Sequence, residues 1–594
     1  MSASGNAALG ALPEWDLGDL YESPDAPELA ADLQTAAEAA KRFHAAHAGK
    51  LAEMSGAALG EAVEGYEAIR EKIGRVTSYA TLRYAADVSD PARGKFLQDI
   101  QEKTNAIGTE LLFFTLEINR LSDAALAEKL KAEKLARYAP WLRDVRAFRA
   151  HQLPDDLERL LYEKYLSGRA AWTRLFDETM AGLRFPVDGK ELTETETLDL
   201  LSSPDGVARR AAAKALGQVF GENVRLFALI TNTLAKDKAI EDAWRNYPRP
   251  VSERNLENQV EDAVVTALVD AVREAHPRLA HRYYAWKARL FGVDQLDYWD
   301  RNAPLPDEAV RAIPWEEAVK TVLEAYASFT PELARVGQRF FDAAWIDANP
   351  RPGKASGAFA HSTVPSHHPY LLLSYQGKTR DVMTLAHELG HGVHQVLAAK
   401  QGLLLAETPL TLAETASVFG EMLTFQRLLG EERDPKVKRN LLAAKVEDML
   451  NTVVRQIAFH SFEERIHDER SAGELSAERL GDIWLEVQAE SLGPAIRFEE
   501  EYRFFWTYIP HFIHTPFYVY AYAFGDCLVN SLYAAYEAAE EGFAEKYLDL
   551  LRAGGTHRHR ELLAPFGLDA SDPAFWGRGL GVIERMIDEL ETLS

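Results

Sequence analysis

The chain has 594 residues, 47% hydrophobic and 26% charged. This excludes a disordered or low-complexity protein and leaves two to four domains or one large helical body. A formal charge of −25 and a single cysteine, Cys527, exclude a disulfide framework, a thiolate metal cluster and a basic nucleic-acid footprint. The acidity reads either as solubility or as an acidic cavity preferring cationic substrates.

From the N-terminus, "LPEWDLGDLYESPDAPELAADL" carries acidic residues where a signal or transit peptide would carry basic ones. No run approaches the roughly 18 apolar residues of a membrane helix. The expected location is cytoplasmic, with no membrane and no nucleic-acid partner. The stretches Asp25–Met54, Ser55–Asp87 and Pro91–Leu121 are rich in Ala, Leu, Glu and Lys and predict long helices. In "GLRFPVDGKELT", Asp188-Gly189 between short apolar pieces predicts a hairpin. It serves as a soft boundary between an N-terminal helical domain, 1–190, and the remainder, 191–594. The segment Asn349–Thr379 holds four prolines and three glycines with short apolar runs. It predicts a small β-sheet whose edge near Gly357–Phe359 could pair with an extended peptide.

The next helix carries "TLAHELGHGVHQ". Val382, Leu385, Ala386, Leu389, Val393 and Val396 recur at helical spacing, and Gly402 supplies the stop. His387 and His391 lie four apart, so both imidazoles project from one face and can reach one zinc ion. Glu388, rotated by about 100° on the helix, can flank that ion and hold a water without ligating. The pattern is expected by chance fewer than about 0.1 times in a chain of this composition. His394, on the same face, reads as structural or as support for a ligand.

A catalytic zinc takes a third protein ligand. "PLTLAETASVFGEMLTFQRLL" predicts a second helix, with Glu414 and Glu421 seven apart on one face. Glu414 has a competing role, because Thr411-Leu-Ala-Glu414 fits a capping box; spacing alone leaves ligand and cap open. Glu421 could orient a ligating histidine. Glu407, in the preceding loop, is a weaker candidate ligand. Downstream, eleven aromatics fall within Tyr502–Phe524. Such density is usually core, yet Tyr and His also suit oxyanion donation. His557 and His559 are too close in sequence to share a helix face and read as a surface loop.

"HELGHGVHQ" followed by "LAETASVFGEMLTF" resembles the M3 family of zinc metallopeptidases, the thimet-oligopeptidase-like enzymes. "LPEWDLGDLYESPDAPELAADL" and "GKASGAFA" resemble its oligoendopeptidase F branch. The resemblance runs over nearly the whole chain. It implies a mainly α fold, a large multi-helix body in two halves around a deep channel, with a small β-sheet beside the HExxH helix. It implies one Zn2+ per chain on His387, His391 and Glu414, with Glu388 as general base. It places oxyanion-stabilising residues in the aromatic region, where the candidates are His511, His514, Tyr518 and Tyr522. The implied activity is endopeptidase cleavage of short unstructured peptides. The alternatives are a metallocarboxypeptidase and a non-catalytic peptide-binding scaffold.

Overall fold

The Ala- and Leu-rich stretches that open the chain form three long helices, Pro27–His47, Gly56–Ala86 and Pro91–Arg120. The computed structural model describes residues 9–165, 167–305, 312–355, 357–538 and 542–593. Ser55 and Asp90 cap the second and third helices by accepting from Ala58 N and Ala92 N, which satisfies otherwise unpaired backbone donors. Their inner faces bury Phe43, Leu59, Val63, Leu111 and Phe114 in one core. Phe43 and Phe114 meet edge to face, with ring centroids 5.0 Å apart. Each fully buried side chain of this size contributes about 1.5–3 kcal/mol.

Helix accounts for 72% of the structure, so the fold is mainly α. The chain divides into two discontinuous compact units. The first comprises Met1–Arg149, Val310–Glu431 and Ala538–Gly567; the second comprises Ala150–Ala309, Glu432–Glu537 and Leu568–Ser594. The second unit contains the expected hairpin, in which Phe185–Val187 pairs antiparallel with Lys190–Leu192. Asp188 and Gly189 both have positive φ, 49° and 77°, as a two-residue turn between twisted strands requires. The same unit contains the 40-residue helix Gly206–Arg245. It also contains the helix Tyr520–Glu537, packed on Pro573–Thr592.

The Pro- and Gly-rich segment of the first unit builds the expected small sheet. Tyr370–Leu372 is its buried central strand, parallel to Ile346–Asp347 and antiparallel to Phe359–His361. Lys354 pins the intervening loop: its buried ammonium donates to Asp347 Oδ1 at 2.7 Å and to the Leu373 carbonyl at 2.6 Å. Phe359–His361 lies at the sheet edge and is half-buried.

Immediately after the sheet comes the histidine helix, Thr379–Ala398, and then the glutamate helix, Leu410–Glu431. The Asp381 carboxylate accepts from Lys378 N at 3.0 Å and Gln376 N at 2.8 Å, fixing the start of the first helix. Val382, Leu385, Leu389 and Val393 are buried, as the spacing requires, while Val396 is half-buried and Leu397 takes the inner position. The two helices touch backbone to backbone at Gly390, where a Cβ would fall 2.5 Å from the Ala416 carbonyl oxygen. Tyr326 locks the pair by donating to the Ala386 carbonyl at 2.6 Å. Gly390→Ala should therefore cost about 1–3 kcal/mol in chemical denaturation through overpacking. Gly430→Ala, at the end of the glutamate helix with nothing within 4 Å of the added Cβ, should be neutral or stabilise by up to about 1 kcal/mol.

Candidate metal centre

His387 and His391 project from the inner face of their helix toward the glutamate helix, with ring centroids 5.0 Å apart. Glu414 Oε2 lies 3.4 Å from His387 Nε2 and 3.5 Å from His391 Nε2. Tetrahedral coordination with bonds of about 2.0–2.1 Å puts neighbouring ligand atoms about 3.3–3.4 Å apart. The carboxylate therefore stands one tetrahedral edge from each imidazole, and the donor set suits a divalent zinc-like ion. Among the described residues, this is the group of three His, Cys, Asp or Glu side chains whose ligand atoms converge within 4.8 Å.

The capping alternative for Glu414 does not match this geometry. The glutamate helix starts at Leu410, so Thr411 is already within its first turn. The Glu414 carboxylate faces the imidazoles and accepts from Ser417 Oγ at 2.6 Å. A capping box of the expected kind occurs elsewhere, between Thr193 and Glu196. Seven residues on, Glu421 Oε2 lies 3.1 Å from His387 Nδ1. An Nδ1–H donated to this carboxylate leaves the Nε2 lone pair free toward Glu414, the tautomer a metal ligand needs. Ser417 and Glu421 thus brace the two sides of the cluster; Ser417 was given no role by the sequence, though its i, i+3 spacing from Glu414 is the signal that could have found it.

The electrostatics follow from burying several charges together. Burial alone would raise the Glu414 carboxyl pKa, but His391, His387 and the Ser417 hydroxyl outweigh it and hold the pKa low. Burial opposes the His387 cation, yet Glu421 and Glu414 push its pKa up to about 10. His391 is dominated by burial and falls to about 4, with Glu414 opposing. Glu388 is 6% exposed. Burial pushes it up to about 7, against the pull of His387.

The other candidates separate. Glu407 is exposed and lies outside the cluster. His394 is buried, with Nε2 3.4 Å from Thr408 Oγ1, and is not part of the converging group. His557 is exposed beside Thr556, but His559 is buried at the start of a short helix. The surface-loop expectation holds for the first of that pair only.

In the second unit, seven of the eleven clustered aromatics are buried core: Tyr502, Phe505, Trp506, Phe512, Phe517, Tyr520 and Phe524. Tyr518 and Tyr522 are half-buried. Their ring centroids lie 5.2 Å apart, and His511 Nε2 is 3.3 Å from the Tyr522 hydroxyl. His514 turns away, with Nε2 2.7 Å from Asp177 Oδ1. The turn between these residues has Phe517 at φ 60°, a conformation that costs a bulky residue free energy. Buried Glu463 holds it by accepting from Phe517 N at 2.8 Å.

Known proteins share both halves of this sequence. Residues 200–582 match Peptidase family M3, and residues 117–185 match Oligopeptidase F. Oligopeptidase PepF of Bacillus subtilis (strain 168) is 26% identical over 592 residues, covering 98% of this chain and 87% of the relative. An oligoendopeptidase F homolog of Lactococcus lactis subsp. lactis (strain IL1403) is 27% identical over 540 residues, 88% of each chain. The crystal structure of oligoendopeptidase-F from Enterococcus faecium superimposes with a TM-score of 0.72 at 25% identity, over 95% of this chain and 97% of that one. With the HExxH pair and its converging carboxylate on one side and these matches on the other, the chain belongs to peptidase family M3, on its oligoendopeptidase F branch, and is a metalloendopeptidase.

Proposed function

We propose that His387, His391 and Glu414 hold one zinc ion and that the chain hydrolyses internal bonds of short, unstructured peptides. The observation that carries this reading is the approach of one carboxylate oxygen to both imidazoles at 3.4 and 3.5 Å. When bound, the ion supplies Lewis acidity, acidifying water and polarising a carbonyl oxygen. Glu388 takes the proton released as water attacks the scissile carbonyl and delivers it to the leaving amine. Its buried position next to His387 supports that role. Glu421 holds His387 in the ligating tautomer.

His511, His514, Tyr518 and Tyr522 are the proposed donors to the developing oxyanion. The contacts among His511, Tyr518 and Tyr522 support these three as a set. The Asp177 partner of His514 suits it better to orienting the short His511–His514 helix. The half-buried edge strand Phe359–His361 offers main-chain groups to an extended peptide. The division of the sequence near residue 190 is supported by the two family matches, which end and begin at 185 and 200. A reducing, cytoplasmic setting is part of the same reading, supported by the single buried cysteine. Among the described residues, no helix is long and apolar enough to cross a membrane.

Three outcomes are expected. Glu388→Gln should retain stoichiometric metal by elemental analysis while losing turnover by at least about 100-fold; near-normal turnover would remove Glu388 as the base. Glu414→Ala should lose the metal and Glu421→Ala should weaken its binding by about 10–100-fold, whereas Glu407→Ala should change neither. Dialysis against a chelator should abolish cleavage of a fluorogenic peptide, and added zinc should restore it. Indifference to chelation would contradict the zinc reading.

A further inference from the structure

The second unit concentrates positive charge in one place, against the chain's formal charge of −25. Arg301 follows the Tyr298–Asp300 turn, and Arg455 opens the helix Val454–Ala472. Both act electrostatically on Tyr284 and Tyr502. Arg455 Nη2 donates to the Tyr508 hydroxyl at 2.8 Å, and its guanidinium lies 4.9 Å from the Phe459 ring centroid. Tyr508 is also within electrostatic range of Arg301. A carboxylate acting on Arg301 is Glu447, and it is already engaged. Its Oε1 accepts from Lys287 and, at 2.8 Å, from Tyr283. Glu447 is thus taken up by Lys287, and among the described residues neither Arg301 nor Arg455 forms an ion pair of its own.

Arg301 is the exceptional member. Its Nη1 is buried and has no hydrogen-bond partner among the described residues. An unpaired buried guanidinium nitrogen is costly, and this fork of donors matches a carboxylate. Taken as whole residues, both arginines are half-buried. Arg455 also acts electrostatically on His511, a member of the proposed oxyanion set.

We propose that Arg301 and Arg455 form a binding site for a carboxylate of the peptide substrate, with Tyr508 orienting Arg455. The proposal rests on the peptidase reading above. The carboxylate is either the substrate's own C-terminus or an acidic side chain along it, and the two sources share the chemistry of the site.

The test uses the full-length Glu388→Gln protein, so that binding is measured without turnover. Fluorescently labelled peptides of about nine residues are compared by anisotropy in two matched pairs. One pair lacks acidic residues and ends in a free acid or an amide; the other is amidated and carries one internal Glu or Gln. The carboxylate member of at least one pair should bind about tenfold tighter, and which pair responds identifies the source. Arg301→Met and Arg455→Met should each collapse that ratio toward one, and Arg455→Lys should keep part of it. Equal affinity within both pairs overturns the proposal, as does a preference that survives both methionine substitutions. If the methionine variants do not fold by circular dichroism, the matched pairs on the unsubstituted arginines decide alone. Normal cleavage by the unsubstituted enzyme without discrimination in binding sinks this site only. Discrimination in binding by a chain that cleaves no peptide sinks the hydrolytic reading and leaves this site standing.

Discussion

The first unit is organised around one demand: a carboxylate on one helix must reach two imidazoles on another. A glutamate side chain is short, so the helix backbones must nearly touch. The absence of a side chain at Gly390 allows that approach, against Ala416 and Ser417. Gly420 leaves room for the Tyr326 hydroxyl, which a Cβ there would meet at 2.2 Å. Tyr547 adds a second tie by donating to the Thr415 carbonyl at 2.7 Å. The sheet ahead of the histidine helix and the Asp381 cap fix where that helix begins, and hence which residues face inward.

Bringing His387, Glu388, His391, Glu414 and Glu421 together has an electrostatic cost, because buried charge is expensive unless each group has a partner. The cluster meets it by pairing. Glu421 takes one nitrogen of His387, Ser417 supports Glu414, and Glu414 faces both rings. Glu388 has burial as its dominant influence. Two carboxylates of similar chemistry, Glu388 and Glu414, are thus driven in opposite directions by their surroundings. Such divergence separates a proton carrier from an ion holder.

The second unit shows the same economy of polar groups in a helical frame. Glu463 supports a left-handed Phe517, and Asn258 donates to the Tyr520 hydroxyl at 2.9 Å. Between them they fix the chain on either side of Tyr518. Unlike Phe517 N and the Tyr520 hydroxyl, the buried Arg301 Nη1 has no hydrogen-bond partner among the described residues.

Much of this was legible in local pattern. Helical spacing sets both histidines on one face, and the Asp-Gly pair sets the hairpin, because each depends on backbone periodicity or a turn conformation within a few residues. The choice between ligand and cap for Glu414 was not legible from spacing, since both roles use the same residue at the same place. What argues against the cap is where the helix starts and what the carboxylate faces. The aromatic stretch shows the same limit: composition cannot separate buried Tyr520 from half-buried Tyr522. Burial there depends on which elements of the second unit pack against each side of the helix. The Arg301–Arg455 pair gave no signal, for it joins residues that only packing brings together, whereas Ser417 lies three residues past Glu414 on one helix and was within reach of helical spacing. The sequence alone determined the helical framework and the spacing of His387, Glu388 and His391, because these follow from the chain's own geometry. Tertiary structure alone decided that Glu414 closes the cluster and Glu421 braces it, because convergence between helices depends on how closely their backbones can pack.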